Sequence, residues 1–216
     1  MNKLVAPSIF AADFYDMKRA LKIIEKSRVD MIHYDVMDNH FVPNISFGKK
    51  FIEDITRRTL IPANVHLMIE LDNIEKLKDF AKLPVSNITL HLESSTKKLL
   101  KYIEYIKKNG KTAGISIKPD TPVERLKLYL DSIQLILVMS VEPGFSGQKF
   151  LKKSISKIKR LKSFIGDRNI IIQVDGGIDR ENYMNILESG ADFLVIGSCF
   201  FSDKNPSEWV KKIHSF

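Results

Sequence analysis

The stretch Ile88-Thr89-Leu90-His91-Leu92, then Lys98-Leu99-Leu100-Lys101-Tyr102-Ile103-Glu104-Tyr105-Ile106-Lys107-Lys108-Asn109-Gly110, then Thr112-Ala113-Gly114-Ile115-Ser116-Ile117 holds one structural period. The first and last runs are short, apolar and β-branched, the mark of buried strands. In the middle run Leu99, Ile103 and Ile106 recur at helical spacing, and Lys97, Lys98, Lys101, Lys107 and Lys108 fill the other face. Asn109-Gly110 stops that helix before the next strand begins. The result is a strand–helix–strand unit, which builds a parallel sheet.

Working outward, the same period fills the chain. Strand-like runs lie at Leu4–Ile9, Met31–Val36, Asn64–Met68, Ile88–Leu92, Thr112–Ile117, Leu135–Ser140, Ile170–Val174 and Phe193–Ile196. The patterning predicts helices over 14–27, 48–58, 73–82, 96–108, 122–131, 148–165, 179–189 and 205–214. Eight pairs, with no linker or change of composition, predict a single α/β domain over residues 1–216. A (β/α)8 TIM barrel is favoured over an open sheet, which the sequence also allows.

The composition narrows the function classes. Of 216 residues 44% are hydrophobic, which supplies a large core. No run approaches the ~20 apolar residues of a membrane span. Met1–Pro7 has no long apolar segment, so a signal peptide is not expected. The lone Cys199 has no internal partner, which fits a reducing compartment, and a cytoplasmic protein is expected. The net charge of +8 sits largely on helix faces such as Lys152–Lys162, where Leu151, Ile155, Ile158 and Leu161 form the apolar side. No aromatic residues interleave with it, so nucleic acid is not expected as a partner.

The chemistry-bearing residues stand at the carboxyl ends of strands, where barrels place their active sites. In Met31-Ile32-His33-Tyr34-Asp35-Val36-Met37-Asp38, His33 and Asp35 are two apart and share one strand face. Asn64-Val65-His66-Leu67-Met68 brings a second histidine, and Ile172-Gln173-Val174-Asp175-Gly176-Gly177 ends on an aspartate. Two imidazoles and two carboxylates at one barrel mouth suit a divalent Zn²⁺, Fe²⁺, Co²⁺ or Mn²⁺. Two ionisable groups on one buried strand face are costly unless paired or metal-bound. His40, His91 and His214 show no such pattern and read as structural or surface residues.

Such a site suits inversion of a carbon beside a ketone. A metal stabilises the negative charge that develops on oxygen. Two carboxylates, Asp35 and Asp175, then exchange protons on opposite faces of the carbon. Val141-Glu142-Pro143-Gly144-Phe145-Ser146-Gly147-Gln148, Gly176-Gly177 and Gly197-Ser198 follow strands six, seven and eight. They read as phosphate-binding loops or, alternatively, as ordinary tight turns. Met37, Met68 and Met139 lie near strand ends, as a dry lid over the site or as core filler.

Read together, Ala6-Pro7-Ser8-Ile9, Ala12-Asp13, Met37-Asp38, His40-Phe41-Val42-Pro43-Asn44, Val65-His66-Leu67-Met68, Pro143-Gly144-Phe145, Gly147-Gln148, Val174-Asp175-Gly176-Gly177 and Gly197-Ser198 resemble the ribulose-phosphate 3-epimerase family. The resemblance runs along essentially the whole chain. It implies metal-assisted interconversion of D-ribulose 5-phosphate and D-xylulose 5-phosphate, with Asp35 and Asp175 as acid/base pair. His33, Asp35, His66 and Asp175 would hold the metal, and Ser8 and His66 would touch the substrate. Gly144, Phe145, Ser146, Gly147, Asp175, Gly176, Gly177, Gly197 and Ser198 would hold its phosphate end, and the chain would form a homo-oligomer.

The chain departs from the family pattern at Asn39 and Ser146, where glycines are usual, at Glu142 for asparagine, and at Asn64 for aspartate. Glu142 is expected to point away from a phosphate. Asn64 has the parity of His66 and so belongs to the layer behind the ligands. Rival readings are an allulose-6-phosphate 3-epimerase and a non-catalytic phosphosugar-binding barrel. A decarboxylase of the same fold would need a lysine that Asp35-Val36-Met37-Asp38 lacks.

Overall fold

A computed structural model describes residues 2–94 and 98–216. Its strands are β1 (Leu4–Pro7), β2 (Ile32–Met37), β3 (Ala63–Met68), β4 (Asn87–His91), β5 (Thr112–Ile117), β6 (Leu135–Met139), β7 (Ile171–Asp175) and β8 (Phe193–Ile196). All pair in parallel, in the order β1-β8-β7-β6-β5-β4-β3-β2. The two end strands then meet. Ser8 bridges in parallel to His33, and Asp30 N–H donates to Val5 O at 3.0 Å. The sheet is therefore a closed (β/α)8 barrel rather than an open one.

The helices are α1 (Met17–Lys26), α2 (Lys49–Thr56), α3 (Glu75–Ala81), α4 (Leu99–Lys108), α5 (Lys153–Ile165), α6 (Tyr183–Glu188), α7 (Ser198–Ser202) and α8 (Pro206–His214). The start of the helix expected from residue 96, with Lys97 on its outer face, lies outside the described residues. The helix expected over 122–131 is absent as an α-helix. Val123–Leu126 is a 3-10 turn, continued by Lys127 N–H to Glu124 O, Tyr129 N–H to Leu126 O and Ser132 N–H to Tyr129 O. Buried Val123, Leu126 and Tyr129 fall three apart, which matches three residues per turn rather than 3.6. Conversely, α7 was not anticipated from the sequence.

Strand alternation sorts the side chains into two environments. Val65, Ile88, Leu90, Ile115, Ile136, Val138, Ile172, Val174, Leu194 and Ile196 face the helices in one continuous core. The barrel interior is split. Ala6, Leu135, Leu137, Met139 and Phe193 make an apolar wall on β1, β6 and β8. His33, Asn64, His66, Asn87, Thr89, His91, Ser116 and Gln173 make a buried polar wall from β2 to β5 and on β7. Most members of this wall hydrogen-bond one another, while Ser116 Oγ and Gln173 Oε1 are buried without a partner among the described residues, and this is where the site lies.

Candidate active site

Four side chains from three strands converge at the carboxyl end of the barrel. His33, Asp35, His66 and Asp175 each offer one ligand atom, and these atoms all lie within 4.8 Å of one another. Asp35 Oδ1 is the hub, 3.2 Å from His33 Nε2 and 3.0 Å from His66 Nδ1. Asp175 Oδ2 stands 3.9 Å from His33 Nε2. The second oxygen of Asp35 accepts a 2.6 Å hydrogen bond from Ser8 Oγ. The expected set is thus brought together, and mixed nitrogen and oxygen donors at this spacing fit a divalent first-row ion.

Burial and charge set these groups apart. Burial alone would push His33 down, but the carboxylates of Asp35 and Asp175 raise it to about 9. His66 is lowered to about 4, chiefly by burial, with the neighbouring imidazoles adding to it against Asp35. Burial would raise Asp35, yet the charge and hydrogen bond of His33 hold it well below the usual carboxylate range. Asp175 is raised to about 7 by burial and by the charge of Asp35. The two carboxyl groups therefore differ in proton affinity, as an acid and a base should.

The layer behind these four side chains orients them. His33 Nδ1 lies 2.5 Å from Asn64 Oδ1, which also accepts from Gln173 Nε2 at 3.1 Å. Asn64 Nδ2 donates to Asn87 Oδ1 at 2.8 Å, and Asn87 Nδ2 donates to Thr112 O at 3.2 Å. A carbonyl can only accept, so this chain places the Asn64 oxygen on His33. Asn64 therefore takes the Nδ1 proton of His33, and Nε2, which faces Asp35, is the nitrogen that a metal could bind in place of its proton. Asn64 has the role expected from its parity, towards His33. On β7, Ser140 Oγ donates to the carbonyls of Asp175 and Gly176 at 2.8 and 2.7 Å, pinning the strand end.

Above this cluster opens a cavity of about 860 Å³. It is lined by Ser8, Asp35 and Asp175, by Met37, Met68 and Met139, by Gly144, Phe145, Ser146 and Gly147, and by Gly176, Gly177, Gly197 and Ser198. His33 and His66 are fully buried beneath this surface and do not line it. The three methionines stand both in buried clusters and along the cavity wall, so neither of their two readings excludes the other. Gly177 has φ +64°, and a Cβ there would sit 2.3 Å from Phe150 N and 2.8 Å from Gln148 O. The loops after β6 and β7 approach so closely that only glycine fits. Asn39 has φ +59°, a left-handed conformation that asparagine tolerates, which accounts for it in place of a glycine. Glu142 is an exposed residue on the cavity rim, and its charge is felt at Lys157.

His91 corrects the sequence reading. It does have a partner pattern. Its Nε2 lies 2.9 Å from His66 Nε2, and its Nδ1 lies 3.0 Å from Glu93 Oε2. The sequence carried a signal in the spacing of His91 and Glu93, two apart at a strand end like His33 and Asp35, but no residue near them showed what they would meet. His40 and His214 keep to surface roles, with His40 Nδ1 at 2.8 Å from Asp38 O and His214 Nε2 at 2.9 Å from Asp30.

Known proteins resemble the chain along nearly its whole length. The model of the ribulose-phosphate 3 epimerase family matches residues 4–201. Ribulose-phosphate 3-epimerase of Bacillus subtilis is 38% identical over 212 residues, 97% of each chain. That of Chlamydia muridarum is 41% identical over 92% of this chain and 88% of its own. Among solved structures, the tryptophan synthase α-subunit of Pyrococcus furiosus superimposes with a TM-score of 0.69 at 17% identity. The superposition covers 100% of this chain and 98% of that one, and it shows the shared fold. With its barrel, its strand-end cluster of two histidines and two aspartates and these relatives, the chain belongs to the ribulose-phosphate 3-epimerase family.

Proposed function

We propose that the chain, acting as one catalytic domain over residues 1–216, interconverts D-ribulose 5-phosphate and D-xylulose 5-phosphate by proton transfer at C3. One observation carries the reading. Asp35 and Asp175 come from β2 and β7, both line the same cavity, and both belong to one cluster with His33 and His66. One carboxylate removes the C3 proton while the electron pair moves towards the C2 carbonyl oxygen. The other delivers its proton to the opposite face of C3 as the carbonyl reforms. The reaction runs both ways, so each serves as base in one direction and acid in the other. A divalent ion held by His33, Asp35, His66 and Asp175 would stabilise the negative charge on the substrate oxygens. Ser8 Oγ fixes the Asp35 carboxyl, and the glycine loops receive the phosphate end. Met37, Met68 and Met139 present polarizable, water-excluding surface.

A cytoplasmic location and a homo-oligomeric state belong to the same reading. The lone, half-buried Cys199 supports the first. Exposed Phe14, Tyr15 and Ile45 support the second. Among the described residues no helix is long and apolar enough to cross a membrane.

The test is a substrate panel on protein of defined metal content. Ribulose 5-phosphate should be the preferred substrate and should gain solvent deuterium at C3. Preference for allulose 6-phosphate would overturn the substrate, and no exchange on any ketose phosphate would overturn catalysis itself. Asp175→Asn should lower kcat by about 10²–10⁴-fold; full activity would remove the two-base assignment.

A further inference from the structure

Of the polar groups behind the site, one chain is not explained by holding the barrel together. It runs from Asp35 through His66 and His91 to Glu93, and it ends in a carboxylate with three donors among the described residues. Glu93 Oε1 accepts from Lys118 N–H at 2.9 Å and from the Thr121 hydroxyl. Its Oε2 faces His91 Nδ1 at 3.0 Å. An ionised carboxylate only accepts, so the His91 proton sits on Nδ1. In a neutral imidazole the other nitrogen then carries a lone pair. That nitrogen, Nε2, lies 2.9 Å from His66 Nε2, and two facing lone pairs at that distance would repel. One proton must lie between them, and the only ring left to supply it is His66. His66 therefore carries its proton on Nε2 and turns a bare Nδ1 towards Asp35 Oδ1, 3.0 Å away. Two unprotonated donor atoms that close are stable together when a cation joins them.

We infer that Glu93 and His91 are positioning residues that fix the tautomer of His66, so that Nδ1 is the atom offered to the metal ion. This rests on the proposed metal centre. The relay is built for direction. Both rings are fully buried, so water cannot supply an alternative proton or acceptor. The rings are also held in place, with His66 and His91 centroids 4.9 Å apart and Phe41 packed 4.7 Å from His91. Lys118 stands over Phe41 at 4.4 Å and gives its backbone N–H to Glu93, so the loop after β5 closes the far end of the chain. Carboxylate–histidine support of a metal-bound imidazole is a common way to set ligand basicity. Here a second imidazole extends that support by one ring.

The experiment uses Zn²⁺ and the whole chain. In zinc-loaded wild-type protein labelled with ¹⁵N-histidine, NMR should find His66 protonated at Nε2 and His91 at Nδ1. His91→Phe keeps a ring in the cavity but cannot accept a proton. Glu93→Gln keeps the shape but cannot accept three donors. Both should bind one zinc ion per chain with affinity reduced by about 10–100-fold by calorimetry, and His66 in each should lose its single-tautomer signature. A His66 protonated at Nδ1 in zinc-loaded wild type would overturn the inference without reference to any variant. So would equal zinc affinity in wild type and both variants. Failure of the wild-type chain to bind zinc would remove the metal centre and the relay together, which distinguishes the two failures.

Discussion

At the scale of single residues, the site depends on side chains whose alternatives are excluded by close contacts. Gly177→Ala places a Cβ against the backbone of Phe150 and Gln148 at positive φ. It should destabilise the protein by more than about 1 kcal/mol in urea titration and raise KM for a phosphorylated substrate more than it lowers kcat. Glu93 supplies a pH test. Burial would raise its carboxyl, but the hydrogen bonds from His91, Thr121 and Lys118 bring it down to about 2 from 4.5. A depressed carboxyl stabilises the fold above its unfolded value and loses that effect as pH falls through the folded one. Wild type should therefore be more stable than Glu93→Gln at neutral pH, and thermal melts should show the gap narrowing as pH falls from about 4.5 towards 2. A constant gap would show that the Glu93 charge contributes nothing.

At the scale of elements, the alternation of strand and helix was readable because each βα unit repeats one physical rule. A β-branched run buried on both faces is followed by a stripe of apolar residues at helical period. The rule failed between Ile117 and Leu135. Val123, Leu126 and Tyr129 are compatible with a helical stripe when written out, but the chain winds tighter and forms bonds between residues three apart. Leu126→Ala should still cost about 2–5 kcal/mol, because the side chain is wholly buried in the main core; a cost below 1 kcal/mol would show that the segment repacks freely. The proposed metal-binding residues were legible for a similar reason. His33 and Asp35 share a strand face, and parity alone puts them together. Asn87, His91 and Glu93 have the same parity, but their meaning depends on which strand lies alongside. Register between strands is a tertiary fact that no local pattern carries.

At the scale of the whole molecule, a buried polar wall in half of the barrel interior trades apolar packing for a network that holds a charged site. A ligand that binds only the folded form stabilises it by mass action. Zn²⁺ at about a thousand times its dissociation constant should add roughly 4 kcal/mol, and Tm should rise on the order of 10 °C for a chain of this size. Chelation should reverse it, and a Tm indifferent to zinc would count against the centre. Ser8 gives this coupling a location. Its backbone bridges to His33 and completes the ring of strands, while its hydroxyl holds the carboxylate that meets both histidines. The circle of the barrel is fastened at the clasp that carries the proposed acid/base carboxylate, so a chain in which β1 and β2 have parted has no partially competent site. Loss of shape and loss of chemistry become one event, and amide exchange along that junction should slow when zinc is added.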